Sequence, residues 1–214
     1  MTIAVKICGI TSPDAIDAAV RAGAVYGGLV FHPKSPRFVA LEQARVLAER
    51  MRGRLKIVAL IADLDDTAIA ALVQALRPDF LQLHGSESAK RTAEIRSRFG
   101  VAVIKALPVA DASDLDPVAD YEKAADMLMF DAKPPQGALR GGGHGAAFDW
   151  KILAGRSFAK PWFLAGGLDP ENVARAIAQV RPFAVDVASG VEAEPRRKDP
   201  EKMRAFCAAA LSAG

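Results

Sequence analysis

No apolar run in the 214-residue chain reaches the roughly 18 residues that mark a membrane-spanning helix, so no membrane partner is expected. Cysteine is scarce. Cys8 and Cys207 stand at opposite ends of the sequence, without metal-site spacing, and read as reduced thiols of a cytoplasmic protein. Histidine is nearly as scarce: His32, His84 and His144 suggest no ligand set, and no metal or other cofactor is expected. Neither sign of charge dominates. The 28 Lys and Arg against 25 Asp and Glu leave +3, too little by itself to suggest nucleic acid but compatible with a small anionic substrate. The opening MTIAVKICGI carries an early lysine and no small-residue cleavage pattern. It reads as a first strand rather than a signal peptide.

What is present is an apolar half: 51% of the residues are hydrophobic, enough for a full core at this length. Short apolar runs alternate with segments of helical spacing. The strand-like runs are 4–8, 25–31, 56–62, 80–84, 101–107, 127–131, 162–166 and 183–188. Between them, Ile69, Leu72, Val73 and Leu76 give an i, i+3, i+4, i+7 stripe. Ser12-Pro13, Asp169-Pro170 and Asp199-Pro200 read as caps followed by proline at the first helical turn. A weaker helix is expected around 113–124, and a short one opening at 148–153. Near-continuous apolar strands between amphipathic helices imply a parallel sheet covered by helices. Eight such units favour a single parallel (β/α)₈ barrel, a TIM barrel, over residues 1–214, with an open doubly wound sheet as the structural alternative. No composition shift suggests a second domain.

In such barrels the chemistry sits at the C-terminal ends of the strands. The polar residues ending apolar strands are Cys8, His32, Gln82 with His84, Lys105, Asp131 and Asp186. Lys6 and Cys8 share a strand face, as do Gln82 and His84, but periodicity does not say which face is inward. Three connections are long: 32–40, 131–147 and 188–199. Glycines at 141–145, 166–167 and 190 follow strands six to eight, where backbone N–H groups and helix N-termini suit a phosphate.

The segments KICGIT (6–11), FHPKSPR (31–37), LQLHG (81–85), FDAK (130–133), GGHG with FDW (142–150), AGGLDPENV (165–173) and DVASGVE (186–192) together resemble the phosphoribosylanthranilate isomerase family. The resemblance runs from strand one to strand eight. It implies an Amadori rearrangement of N-(5-phosphoribosyl)anthranilate to 1-(2-carboxyphenylamino)-1-deoxyribulose 5-phosphate, in tryptophan biosynthesis. It implies Asp131 as general acid and Cys8 as general base, and Arg37 as holder of the anthranilate carboxylate. Gly143, Gly145, Gly166, Gly167, Ser189 and Gly190 are expected to hold the phosphate. Asp186 is a candidate partner of the sugar or the anthranilate nitrogen, and His84 a candidate pocket wall. Work at neutral pH asks for an Asp raised from about 3.9 and a Cys lowered from about 8.5. A monomer or a homodimer is equally compatible.

Three positions depart from the family pattern. Ala188 replaces the first serine of Ser-Ser-Gly, His144 stands where a threonine is common, and Arg196 where glycine is usual. The bland readings are an inert core Cys8, a loop-capping Asp131, a solvated Arg37 and structural barrel charges at Lys6 and Lys105. Three other functions compete. A two-carboxylate aminoaldose isomerase is disfavoured by Cys8, and a metal-dependent epimerase by the few histidines. A non-catalytic phosphate sensor would need neither Cys8 nor Asp131.

Overall fold

The structure, a computed structural model, describes residues 3–133 and 149–214. Eight strands close into one parallel barrel in chain order: β1 (Ala4–Cys8), β2 (Tyr26–Val30), β3 (Lys56–Ile61), β4 (Phe80–Leu83), β5 (Ala102–Val109), β6 (Met127–Ala132), β7 (Trp162–Leu164) and β8 (Ala184–Val187). The seam is made by β1 and β8, with Lys6 opposite Asp186. The helices are α1 (Pro13–Arg21), α2 (Leu41–Met51), α3 (Asp66–Leu76), α4 (Ala89–Phe99), α5 (Val118–Ala124), α6 (Val173–Val180) and α7 (Pro200–Ala213). The open-sheet alternative is thereby set aside.

Local chemistry starts and stops these helices. Ser12 caps α1 by accepting from the Ala15 N–H, with Pro13 in the first turn. Asp65, Ser88 and Asp199 cap α3, α4 and α7 in the same way, each satisfying an orphan donor of a first turn. Two expected helices differ. The stretch around 113–124 splits into a 3₁₀ turn at Ala112–Leu115 and α5, because Pro117 brings no N–H to bridge them. The unit after β6 shows only the 3₁₀ turn Trp150–Ile152 among the described residues. One expected cap is displaced: Asp169 accepts from the Glu171 and Asn172 N–H groups, and α6 begins after that turn, at Val173.

Each strand buries both faces. Outward residues such as Val5, Ile7, Leu81 and Leu128 join the helices in one large apolar cluster. Inward residues form a second one, with Tyr26, Val58, Ile104, Met129 and Phe163 filling the lower barrel. Tyr26 meets Phe80 and Phe163 edge-on, with ring centroids 5.8 and 5.3 Å apart. Lys6, Cys8, Gln82 and Asp186 share this inward side, and Lys6 is fully buried. Polar groups thus sit above an aromatic floor.

After β8 the chain makes a small antiparallel hairpin, β9 (Glu192–Glu194) and β10 (Arg197–Lys198). Its link is Pro195-Arg196, and Arg196 has φ of 76°. Proline followed by a left-handed residue is the pattern of a type II turn, whose third position favours glycine. That explains why glycine is the usual residue at the place Arg196 occupies.

Two stability outcomes follow. Phe163→Ala, removing a ring with no exposure, is expected to cost about 3–5 kcal/mol, read as a lower urea midpoint at unchanged slope. Arg196→Gly is expected to gain up to about 1 kcal/mol by relieving the left-handed backbone, read in the same titration.

Candidate active site

The strand ends and their loops enclose a cavity of about 250 Å³. Cys8 comes from β1, His32, Ser35 and Arg37 from the loop after β2, and Asp63 from the loop after β3. Gln82, His84 and Gly85 come from β4 and its loop, Asp131 from β6, and Asp186 and Ala188 from β8 and its end. Five expected site residues, Cys8, Arg37, His84, Asp131 and Asp186, therefore line one space. Gly166, Gly167, Ser189 and Gly190 do not line it; they lie in the adjoining loops after β7 and β8. Gly143, Gly145 and His144 fall outside the described residues.

Cys8 and Lys6 owe their room to a missing side chain. A Cβ on Gly28 of β2 would lie 3.1 Å from the Cys8 Sγ and 3.2 Å from the Lys6 Nζ. Lys6 Nζ donates to Asp186 Oδ1 at 2.7 Å. Burial opposes the Lys6 ammonium, but Asp186 and Cys8 outweigh it and hold its pKa above the ordinary value. Burial pushes the Cys8 thiol up; the charges of Lys6 and Lys198 oppose this, Asp186 adds to it, and the net direction is upward. This corrects the expectation of a lowered thiol: desolvation by the barrel exceeds the help of the nearby cations.

Asp131 is held through one oxygen and faces a histidine with the other. Oδ1 accepts from the Ala132 N–H at 2.8 Å, and Oδ2 lies 3.3 Å from His84 Nε2. The Gln82 Nε2 stands 3.0 Å from His84 Nδ1. With that amide nitrogen donating, Nδ1 accepts and Nε2 carries the ring proton toward Asp131. Gly166, at φ of 85°, packs against Asp131, where a Cβ would lie 2.9 Å from Oδ1.

Arg37 is neither solvated nor fully available. Its Nε and Nη2 grip Glu192 at 2.7 and 2.8 Å. One edge of the fork expected to hold a carboxylate is thus taken from within, and Nη1 remains. Asp186 is similarly half engaged, with Oδ1 on Lys6. Burial pushes Glu192 up, but Arg37 and Lys198 outweigh it and hold its carboxyl below the usual range.

Three partners were not singled out from sequence. Glu192 and Lys198 sit in the charged stretch after strand eight, where an excess of ionisable residues in a long loop was the available signal. Glu87 pairs with Lys105 at 2.7 Å, both buried. Its two oxygens accept from the Asp63 and Gly85 N–H groups, which ties the loops after β3 and β4 into one wall beside His84. Lys105 is the structural charge expected of it, facing the helices rather than the cavity.

The architecture and the cavity have known counterparts. Residues 5–209 match the family model of N-(5'phosphoribosyl)anthranilate (PRA) isomerase. The N-(5'-phosphoribosyl)anthranilate isomerase of Paracoccus denitrificans is 50% identical over 212 residues, covering 99% of each chain. The crystal structure of phosphoribosyl anthranilate isomerase from Thermotoga maritima superposes with a TM-score of 0.89 at 34% identity, covering 98% of this chain and 99% of that one. A crystal structure of the isomerase in complex with reduced 1-(o-carboxyphenylamino)-1-deoxyribulose 5-phosphate superposes with a TM-score of 0.83 at 31% identity, covering 98% and 99%. The chain belongs to the N-(5'-phosphoribosyl)anthranilate isomerase family.

Proposed function

We propose that this chain, as one catalytic domain over 1–214, isomerises N-(5-phosphoribosyl)anthranilate to 1-(2-carboxyphenylamino)-1-deoxyribulose 5-phosphate in tryptophan biosynthesis, without a cofactor. The observation that carries the reading is that Cys8 and Asp131, from opposite parts of the barrel, line one cavity with Arg37.

Asp131 gives its proton to the furanose ring oxygen. The C1–O bond breaks as the anthranilate nitrogen lone pair forms C1=N, leaving an open-chain iminium. Cys8, as thiolate, then removes the proton from C2. The C2–H electron pair forms C1=C2, and the C1=N pair returns to nitrogen. The resulting enaminol loses its hydroxyl proton and gains one at C1, giving the 2-keto product. His84, with its ring N–H facing Asp131, is placed to restore the carboxyl proton between turnovers. Lys6 stabilises the thiolate that the buried setting disfavours.

The substrate spans the rim. Arg37 Nη1 takes the anthranilate carboxylate, and Asp186 Oδ2 faces the sugar or the anthranilate nitrogen. The phosphate falls to the loops after β7 and β8. There Gly166 and Gly167 are successive left-handed residues, and a Cβ on Gly190 would lie 3.0 Å from Asp169 Cα. Such a close backbone approach suits an anion. Gly143 and Gly145 are proposed as further phosphate contacts.

Cys8→Ala and Asp131→Asn are each expected to lower kcat by about 10²–10⁴-fold with little change in KM. Near-wild-type kcat in either variant removes that residue from its role. Because burial raises the thiol, the ultraviolet absorbance of the Cys8 thiolate, followed in a Cys207→Ala variant, is expected to grow in through a midpoint above the ordinary thiol value of about 8.5. Lys6→Met removes a charge that favours thiolate, so the midpoint should move further up. An unmoved or lowered midpoint in that titration shows that Lys6 does not act on Cys8.

A further inference from the structure

Arg37 is held at its stem and at its head. The stem runs over Gly9, whose bare Cα, at φ of 73°, leaves room for it: a Cβ there would overlap the Arg37 Cδ. The head is gripped bidentately by Glu192 on the hairpin after β8. Glu192 is itself anchored. Lys198 Nζ donates to its Oε1 at 3.0 Å and to the Ala188 carbonyl at 2.8 Å, and Lys202 Nζ donates to the Glu192 backbone carbonyl at 2.9 Å. Glu192 and Lys198 are both buried, so the grip is shielded from the salt and water that weaken surface pairs.

A planar guanidinium with one edge fixed presents its other edge in one direction only. Nη1, which makes no hydrogen bond among the described residues, is the edge left for the cavity that Arg37 lines. An arginine on the loop between β2 and α2 would otherwise sample many rotamers, and ordering it would weaken binding.

We propose that Glu192 is a positioning residue for carboxylate recognition: by holding Nε and Nη2 of Arg37 it presents Nη1 to the anthranilate carboxylate, and it sets the preference for substrates that carry that group. The role rests on the reading of Arg37 given above. It asks nothing of Glu192 in the proton transfers, which remain with Cys8 and Asp131.

Two probes separate this role from general scaffolding: reduced 1-(o-carboxyphenylamino)-1-deoxyribulose 5-phosphate, and the same compound without its ring carboxyl. Glu192→Gln is expected to weaken inhibition by the first about tenfold or more, the scale of one charge-assisted hydrogen bond, and to leave the second unchanged. KM should rise while kcat is largely kept, and Glu192→Asp should fall between wild type and Glu192→Gln. Equal weakening of both probes, no weakening, or tighter binding of the carboxylated probe overturns the proposal; the last would make Glu192 a competitor for the fork. Where Glu192→Gln does not fold, Glu192→Asp carries the same comparison. Arg37→Ala tests the underlying reading separately: if the ratio between the two probes survives it, Arg37 does not hold the carboxylate and the role of Glu192 falls with it.

Discussion

The barrel closes on a charge pair. Lys6 on β1 and Asp186 on β8 face each other across the seam, 180 residues apart in sequence, inside a space otherwise filled by Tyr26, Val58, Met129 and Phe163. A buried ammonium without its carboxylate would cost several kcal/mol, so the pair fixes the two end strands in one register. Its position also decides what surrounds Cys8, which shares the inward face of β1. The pattern repeats one layer higher. Arg37, near the N-terminal end of the chain, is answered by Glu192, and Glu192 by Lys198. Cations of the first quarter of the sequence are matched by carboxylates of the last.

This arrangement sets two demands against each other at Cys8. The walls that place Cys8 inside the barrel take water from the thiol and favour its protonated form. Lys6 offers the opposing charge at close range, but Asp186, which holds Lys6 in place, spends part of that charge. The same division appears at Arg37, where the carboxylate that orients the guanidinium also neutralises it in part. In both cases orientation is gained and field strength is given up, a common compromise in preorganised sites.

The alternation of strands and helices was legible because each strand is buried on both faces and reads as a nearly continuous apolar run. The same property hid the inward direction. With apolar residues on either side, Lys6, Cys8 and Gln82 carried no sign of which way they pointed until register and closure supplied it. Helix starts were readable at Ser12 and Asp199, whose side chains act within three residues. Asp169 misled because an Asp-Pro pair caps a turn as readily as a helix. Glu192 was beyond reach for a different cause: its partner Arg37 lies 155 residues away, and nothing local distinguishes a carboxylate that grips an arginine from one that faces water. The direction of the Cys8 shift was missed for the same reason, since it depends on a sum of burial and charges drawn from three segments, β1, β8 and β10.

The hairpin bearing Glu192 and Lys198 also orders events in time. During synthesis β1 leaves the ribosome first, and its lysine has no counter-ion until Asp186 follows. A half-made chain can pack its first strands and helices, but it gains no compensation for drawing Lys6 inside. Until Asp186 has been made, the Lys6 ammonium is better left in water. Glu192 and then Lys198 come later still, so Arg37 can gain its fixed aim only once the hairpin after β8 has been made. In a chain built vectorially, the charges that complete the site also act as a check that the far end has arrived.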